Sequence, residues 1–251
     1  MFPETADIET SSGDYAARFV GPTGAWMLGI QEAIVLDLLP AGRPATLLDV
    51  GGGHGQLALP LCRAGFPVTV VASAEACRRR IAPLVDDGQC RFVVGNLIEL
   101  PFSDRSFDVV LCFRLVTHCA RWPLLIRELC RVARRAVILD YPTGQSLNRL
   151  APQLFGAKKK LEGNTRTFRL FRHAELETEF RKHGFRSGRR TGQFCLPMVL
   201  HRMLKCRPLS AGLEALFRGA GLTRRWGSPV IAEMIYNEEI PRNIQIPMPN
   251  K

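Results

Sequence analysis

No stretch of the sequence approaches the roughly 18 consecutive apolar residues of a membrane span, although 46% of its 251 residues are hydrophobic. The opening MFPETADIETSSGDY has neither a basic start nor an apolar stretch, so it lacks the pattern of a secretory signal. The eight cysteines form no C-x-x-C pair and stand mostly in apolar segments. These absences predict a globular cytoplasmic protein with reduced thiols and no metal site.

Positive charge is concentrated rather than spread evenly. The net charge is +11, and residues 151–225 alone contain 17 Lys/Arg against 5 Asp/Glu. A local excess of this kind predicts a surface that faces a phosphate, a carboxylate, a carrier protein or an anionic lipid headgroup. Five phenylalanines in and near this region would also suit a nucleic acid, but their spacing fits the core faces of helices and strands. We therefore favour a small-molecule or lipid-like partner, with weak contact to an anionic membrane surface as an option.

Strand and helix patterns alternate between Ala45 and Asp140. The order predicts parallel strands with crossover helices, hence an α/β fold with an open, doubly wound sheet. Ligands of such sheets bind beyond the carboxyl ends of the strands. The predicted strands are ATLLDV, PVTVVA, CRFVVG, FDVVLC and AVILD, and the helices between or before them are GAWMLGIQEAIVLDLL, QLALPLCRAG, AEACRRRIAPLV and WPLLIRELCRVARR.

The pattern changes after Asp140. A turn-rich basic stretch precedes a helix in HAELETEFRKHGF, a strand in SGRRTGQFCLP, two helices divided by Pro208, and a last strand in GSPVIAEMIY. We predict a flexible acidic tail over residues 1–14 and one domain over 15–240, followed by an extended tail over 241–251. Within the domain, residues 45–140 form the cofactor-binding half, 141–228 a basic lid and substrate part, and 229–236 the last strand. The sequence does not indicate an oligomeric state.

The stretch LLDVGGGHGQLALP places four glycines in five residues after the first strand. Glycine lets the backbone approach a ligand closely. One frame, Gly53, Gly55 and Ala58, weakly fits a dinucleotide fingerprint, but the acid expected about 20 residues later is missing. A dinucleotide-dependent oxidoreductase therefore stays open as the weaker alternative.

LDVGGGHG resembles the first motif of class I S-adenosylmethionine-dependent methyltransferases. GNLIELPFSDRSFDVVLCFRLVTHCARWPLLIRELCRVARRAVILD resembles the third-strand loop, fourth strand, following helix and fifth strand of the same family. The resemblance implies a Rossmann-like, mostly parallel seven-stranded sheet and S-adenosylmethionine as cofactor. It implies methyl transfer to a small-molecule, lipid-like or anionic acceptor.

The resemblance also implies residue roles. Asp49 would orient the glycine turn and the methionine amino group, Asn96 and Leu97 would contact the adenine, and the backbone of Cys112 and Phe113 would meet the amino group. The segment before the first strand would cover the cofactor, with Tyr15 and Arg18 within reach of its carboxylate; the alternative is that Arg18 is a solvated charge on a helix. The predicted cofactor-binding residues are Arg18, Asp49, Gly51, Gly52, Gly53, Gly55, Ala72, Ser73, Asn96, Leu97, Cys112 and Phe113.

Two positions depart from the family. Ala72 stands where an acid usually grips the ribose hydroxyls, and Asn96 stands where an aspartate usually accepts from the adenine amino group. Each missing charge-assisted hydrogen bond is worth about 1.5–3 kcal/mol. A non-catalytic binding or scaffold protein that kept the fold is therefore a second hypothesis.

Candidates for a general base stand at strand ends: Asp140 and Tyr141 after the fifth strand, and His118 after the fourth. Methyl transfer needs such a base where the acceptor is a hydroxyl or a protonated amine. The alternatives are that His118 packs structurally and that Asp140 caps the turn before Pro142. His54 is expected to shape the glycine loop, and His201 to lie in the lid or in the core.

Overall fold

The computed structural model describes residues 2–40, 45–146 and 169–239. The three consecutive lysines at 158–160, most of the turn-rich stretch after Asp140 and the predicted extended tail lie outside these residues. None of the helices in the described ranges is both long and apolar enough to cross a bilayer.

A seven-stranded sheet forms the centre of the fold. Its order is β3-β2-β1-β4-β5-β7-β6, and β7 runs antiparallel to both of its neighbours. The expected doubly wound, mostly parallel sheet is confirmed. The strands are β1 (Leu47–Val50), β2 (Val68–Ala72), β3 (Cys90–Val94), β4 (Phe107–Cys112), β5 (Ala133–Tyr141), β6 (Phe185–Gly192) and β7 (Val230–Tyr236).

Helices cover both faces of this sheet. Those before and between the first five strands are α1 (Ala6–Thr10), α2 (Gly13–Ala17), α3 (Gly21–Leu38), α4 (Ala58–Arg63), α5 (Ala82–Asp86) and α6 (Trp122–Val132). The later helices are α7 (His173–Lys182), α8 (Met198–Leu204), α9 (Arg207–Gly219) and α10 (Leu222–Trp226). Short 3₁₀ turns lie at Gly52–His54, Glu75–Arg80 and Val116–His118.

Alternation of side chains along the strands builds two cores. Leu48, Val110 and Val137 face one layer, which contains α6 and α7, while Leu47, Val109 and Ile138 face the layer that contains α4. All of these side chains are fully or almost fully buried. Burial on both faces explains why the strands appear in the sequence as continuous apolar runs.

Three predicted boundaries differ from the structure. The single helix predicted over AEACRRRIAPLV is a 3₁₀ turn followed by α5, because Pro83 has no N–H to continue a helix from the preceding turn. The helix predicted through Arg135 ends at Val132, and β5 begins at the next residue. Pro208 does not divide two helices but lies in the first turn of α9, where proline is tolerated.

The predicted flexible tail is the largest difference. Residues 6–10 and 13–17 form α1 and α2, and the side chains of Glu4, Asp7 and Thr10 are buried. The acidic, polar composition that predicted a tail instead supplies hydrogen-bonding groups to the main domain. This segment belongs to the site described next.

Between β6 and β7 the chain forms α8, α9 and α10, hereafter the insertion. Its centre is Glu214, whose carboxylate accepts hydrogen bonds from the N–H groups of Cys195 and Leu196 at 2.8 and 2.9 Å and lies 3.0 Å from Nε2 of His201. His201 is fully buried, as one of its two predicted interpretations required. The insertion is therefore anchored by a buried polar cluster.

Candidate cofactor and acceptor site

The glycine turn joins β1 to the layer of α4. Gly51 and Gly55 have φ of +76° and +71°, the left-handed region that glycine adopts without strain. Gly52 and Gly53 lie between them in the 3₁₀ turn. A residue with a side chain would therefore be strained at either end of this turn.

The two inner glycines are required by their neighbours. A Cβ at Gly52 would overlap the carboxylate of Asp49, and a Cβ at Gly53 would lie 2.6 Å from the backbone oxygen of Cys77. His54 Nδ1 accepts a hydrogen bond from the N–H of Gln56 at 3.1 Å. Burial lowers the pKa of His54 to about 3, so the ring is neutral and holds the turn in shape.

Asp49 is the most unusual group of the turn. Its side chain is 0% exposed, and neither carboxylate oxygen accepts a hydrogen bond from the described residues. Burial raises the pKa of Asp49 to about 7, because the charged form is poorly solvated there. An acid left without a donor costs free energy, so this position favours a ligand that brings a donor group.

The other predicted cofactor residues lie along the same edge of the sheet. Ala72 ends β2 and is followed by Ser73, and Cys112 ends β4 and is followed by Phe113, so both pairs flank the glycine turn at the carboxyl ends of parallel strands. Leu97 and Asn96 follow β3, the next strand outward. Asn96 Oδ1 accepts from the N–H of Ile98 at 3.3 Å.

Arg18 lies at the end of α2, with its guanidinium carbon 5.1 Å from the centre of the Tyr15 ring. Tyr15 is buried, and burial raises its pKa. A cleft of about 410 Å³ opens here between α2 and the glycine turn. It is lined by residues that include Thr10, Tyr15, Phe19, His54, Gln56 and Arg80.

Two of the catalytic candidates, Asp140 and Tyr141, do not converge. Asp140 is buried and paired with Arg114: its Oδ1 accepts from the Arg114 N–H at 2.6 Å, and its Oδ2 lies 3.3 Å from Arg114 Nε. Burial raises the pKa of Asp140, while the Arg114 charge and N–H oppose that effect. Arg114 in turn donates to Gln31 Oε1 at 2.9 Å.

Tyr141 faces away from Asp140. Successive residues of β5 face opposite sides of the sheet, and the Tyr141 hydroxyl lies 2.7 Å from Nδ1 of His173. Burial raises the pKa of the Tyr141 hydroxyl. His118 ends the 3₁₀ turn after β4, and its backbone N–H donates to the carbonyl of Leu115 at 2.9 Å.

Sequence reasoning missed two residues at this edge. Asp7 lies in the segment predicted as a tail, yet it contacts Ser73, 66 positions later. Arg114 adopts φ of +59° immediately after β4 and holds Asp140. No local pattern in the sequence signals Asp7. The unusual feature of Arg114 is its positive φ, which is a property of the backbone and is not visible in the sequence.

The family model described as a methyltransferase domain matches residues 48–139, from β1 to β5. Residues 48–139 therefore form a methyltransferase domain, in agreement with the resemblance seen in the sequence. This match removes the ground for the dinucleotide alternative, which depended on Gly53, Gly55 and Ala58 alone.

Curated methyltransferases resemble the chain to different extents. Malonyl-[acyl-carrier protein] O-methyltransferase of Methylococcus capsulatus is 27% identical over 227 residues, covering 83% of this chain and 78% of that protein. The bifunctional biotin biosynthesis protein BioHC of Cellvibrio japonicus is 34% identical over 113 residues, 42% of this chain and 22% of that protein. The chain thus spans less than a quarter of BioHC.

Among solved structures, magnesium protoporphyrin IX methyltransferase of Synechocystis with bound S-adenosylhomocysteine (SAH) aligns over 89% of this chain and 93% of that one. The TM-score is 0.61 at 15% sequence identity. At this level of identity the likeness concerns the fold.

The methyltransferase site fits its cofactor in two respects. The buried Asp49 carboxylate lacks a donor that a methionine amino group would supply, and the glycine turn keeps side chains away from the strand edge. Asp49, the glycine turn and the carbonyl edge of Cys112 are the groups that would hold the methionine part. Ala72 offers no polar group toward a ribose.

Proposed function

We propose that the chain transfers the methyl group of S-adenosylmethionine to an anionic small-molecule or lipid-like acceptor, with a carboxylate oxygen as the methylated atom. The observation that carries the cofactor part is the buried, donor-free Asp49 beside the glycine turn. When bound, the cofactor supplies an activated methyl group on a sulfonium, so the protein mainly has to orient the two reactants.

The state of the candidate bases supports a carboxylate acceptor. Asp140 is neutralised by Arg114, and the Tyr141 hydroxyl is paired with His173 on the other side of the sheet. A hydroxyl or ammonium acceptor needs a base to remove its proton, whereas a carboxylate is already deprotonated at neutral pH. Asp140 and Tyr141 are then not required as bases.

The surface of the insertion supports an anionic, partly apolar acceptor. Lys205, Arg207, Arg224 and Arg225 are exposed there. Apolar side chains are exposed between them; Met203, Leu209, Leu216 and Trp226 each present more than 40% of their area to solvent. Cationic and apolar groups side by side suit an acyl chain that ends in a carboxylate.

Two curated relatives bear on this class of acceptor: the name of one agrees with it, and the name of the other does not. One is the malonyl-[acyl-carrier protein] O-methyltransferase described above. The other is the ubiquinone/menaquinone C-methyltransferase of Bradyrhizobium diazoefficiens, 33% identical over 123 residues, 43% of this chain and 47% of that protein. The second name keeps methylation of carbon as the competing outcome.

The test is transfer of tritiated methyl from S-adenosylmethionine to fatty acids of graded length, to malonyl thioesters and to a quinol. We expect label in a base-labile methyl ester of a carboxylate acceptor. Label only in the quinol would overturn the carboxylate assignment while leaving the methyltransferase activity in place.

The cofactor part is tested with Gly53→Ala. Since its Cβ would meet the Cys77 backbone at 2.6 Å, we expect SAH binding to weaken by at least about tenfold in calorimetry. Gly29→Ala is the matched control, because its Cβ meets nothing within 4 Å. Equal SAH affinity for both variants would show that the turn does not hold the cofactor.

A non-catalytic role remains the second candidate, favoured by Ala72 and by the covered glycine turn described below. It predicts that the wild-type chain binds neither S-adenosylmethionine nor SAH at millimolar concentration. The same calorimetry decides between the two proposals.

A further inference from the structure

The N-terminal segment Glu4–Ser12 lies on the surfaces that the cofactor would use. Asp7 Oδ2 accepts from the Ser73 N–H at 2.6 Å, and Asp7 Oδ1 accepts from the Ser73 hydroxyl at 2.5 Å. Ser73 follows β2, where a ribose acid usually stands in this family. Asp7 thus occupies the end of β2 with its own carboxylate.

The same segment reaches the glycine turn and the pocket after β3. A Cβ at Gly51 would lie 3.5 Å from the Asp7 Cβ, and one at Gly53 would lie 2.6 Å from the Ser11 hydroxyl. Ala6 is buried in one cluster with Leu97 and Leu115. Three surfaces expected to contact methionine, ribose and adenine are therefore covered by one short stretch.

The covering face is polar. Glu4, Asp7, Thr10 and Ser11 are each less than 9% exposed, and Ala6 is the apolar residue among them. Glu4 accepts from the N–H of Arg121 at 3.0 Å. A segment that belonged to the permanent core would bury apolar side chains, which stabilise by about 1.5–3 kcal/mol each, whereas each hydrogen bond adds only about 1 kcal/mol net.

The segment is also short enough to be displaced. Helix α1 has five residues, too few for independent stability in water. Its attachment depends on side chains that hydrogen-bond as a polar ligand would. Ile8 on the outer face is 38% exposed, so α1 has one face toward solvent.

We propose that Glu4–Ser12 is a displaceable plug: in the free protein it occupies the cofactor cradle, and S-adenosylmethionine binds only after it leaves. This inference relies on the proposed cofactor, since the plug must compete with something. Competition lowers the apparent affinity by the fraction of molecules whose cradle is open.

Calorimetry with SAH tests the competition directly. Asp7→Ala removes both bonds to Ser73, so we expect SAH to bind about tenfold more tightly than to the wild type. Asp14→Asn is the matched control, an exposed acid in the first turn of α2, and should change the affinity less than twofold. Equal affinity of wild type and Asp7→Ala would overturn the plug while leaving cofactor binding intact.

If neither the wild type nor Asp7→Ala binds SAH, the proposed cofactor and the plug are both wrong. Equal, measurable affinities would instead contradict the plug alone. A second measurement needs no variant and therefore does not depend on its folding. In hydrogen exchange of the wild-type chain, saturating SAH should increase exchange of the amides of residues 6–12 severalfold. Stronger protection of these amides would instead make the segment a cover that closes over the cofactor, and would overturn displacement.

Discussion

Two buried acids, Glu214 and Asp49, show how the insertion differs from the glycine turn. Glu214, in the insertion, receives hydrogen bonds from two backbone N–H groups and lies within hydrogen-bonding distance of a histidine nitrogen. Asp49, beside the glycine turn, is equally buried and receives none from the described residues. The pKa values move in opposite directions: burial raises that of Asp49 to about 7, whereas at Glu214 the hydrogen bonds outweigh burial and lower it.

The comparison shows where this fold leaves a buried carboxylate without hydrogen-bond donors. A saturated acid holds two pieces of chain together and gains nothing from a ligand. A donor-free acid costs stability in the free protein and recovers it when a ligand donates to it. A buried carboxylate without donors is consistent with a binding site, and of these two acids it is the one at the glycine turn, whereas the acid of the insertion is hydrogen-bonded.

Glu214→Gln should have the largest effect on stability. The amide NH₂ would face one of the donors that the carboxylate now satisfies, so we expect a loss of about 3 kcal/mol. The pKa of Glu214 is lowered in the folded state, so its stabilisation is complete above the ordinary value of 4.5. It disappears as the pH falls through the lower folded pKa. Thermal unfolding at several pH values measures both.

The exposed Glu238 provides the control for this variant. Glu238→Gln should leave the melting temperature within about 1 °C, and SAH affinity should be the same in both variants. A melting temperature for Glu214→Gln within 2 °C of the wild type would show that the insertion is held by its packing and not by this carboxylate.

Asp49→Asn should have a smaller effect of opposite sign. Because the folded pKa of Asp49 is raised, folding takes up a proton between the ordinary value of 3.8 and about 7, and stability falls as the pH rises through that range. Asparagine removes this loss, so we expect a gain of about 2 kcal/mol above pH 7.5, near 6 °C in melting temperature, and little change at pH 4.

The same substitution should weaken SAH binding by about tenfold, because a charge-assisted hydrogen bond to the amino group is lost. A gain in stability together with a loss in affinity is the signature that separates Asp49 from Glu214. Loss of stability at pH 8 would show that Asp49 supports the fold in the way Glu214 does.

Much of the fold could be predicted from the sequence because it depends on short-range patterns. Apolar runs such as VTVVA and FDVVLC, separated by helical segments, determined the parallel strands, and the four glycines marked the turn. The place of Asp49 within an apolar run, next to these glycines, is also visible in the sequence. What the runs could not show was which groups would meet it.

The features that were missed depend on contacts between distant parts of the chain. Asp7 is one acid in a polar stretch, and only the fold brings it to Ser73. Arg114 carries no sequence signal for a left-handed backbone, and its pairing separates Asp140 from the role of a free base. Because polar contacts add little free energy individually, hydropathy patterns do not record them.

Ala72→Asp has the smallest expected effect. It returns an acid to the end of β2 and so tests what limits cofactor binding there. We expect SAH to bind about three- to tenfold more tightly, and Ala72→Asn, of similar size without charge, to change affinity less. Two mechanisms predict this gain: new hydrogen bonds to the ribose, or repulsion of the Asp7 carboxylate at the neighbouring Ser73.

Combining the substitution with Asp7→Ala separates these mechanisms. If the new acid acts by repelling Asp7, its gain should vanish where Asp7 is already absent; if it binds the ribose, the two gains should add. A coupling of about tenfold in affinity would make the N-terminal segment, and not the missing ribose contact, the factor that limits cofactor binding. Additive gains would leave the acid missing at position 72 as an independent weakness of the cradle.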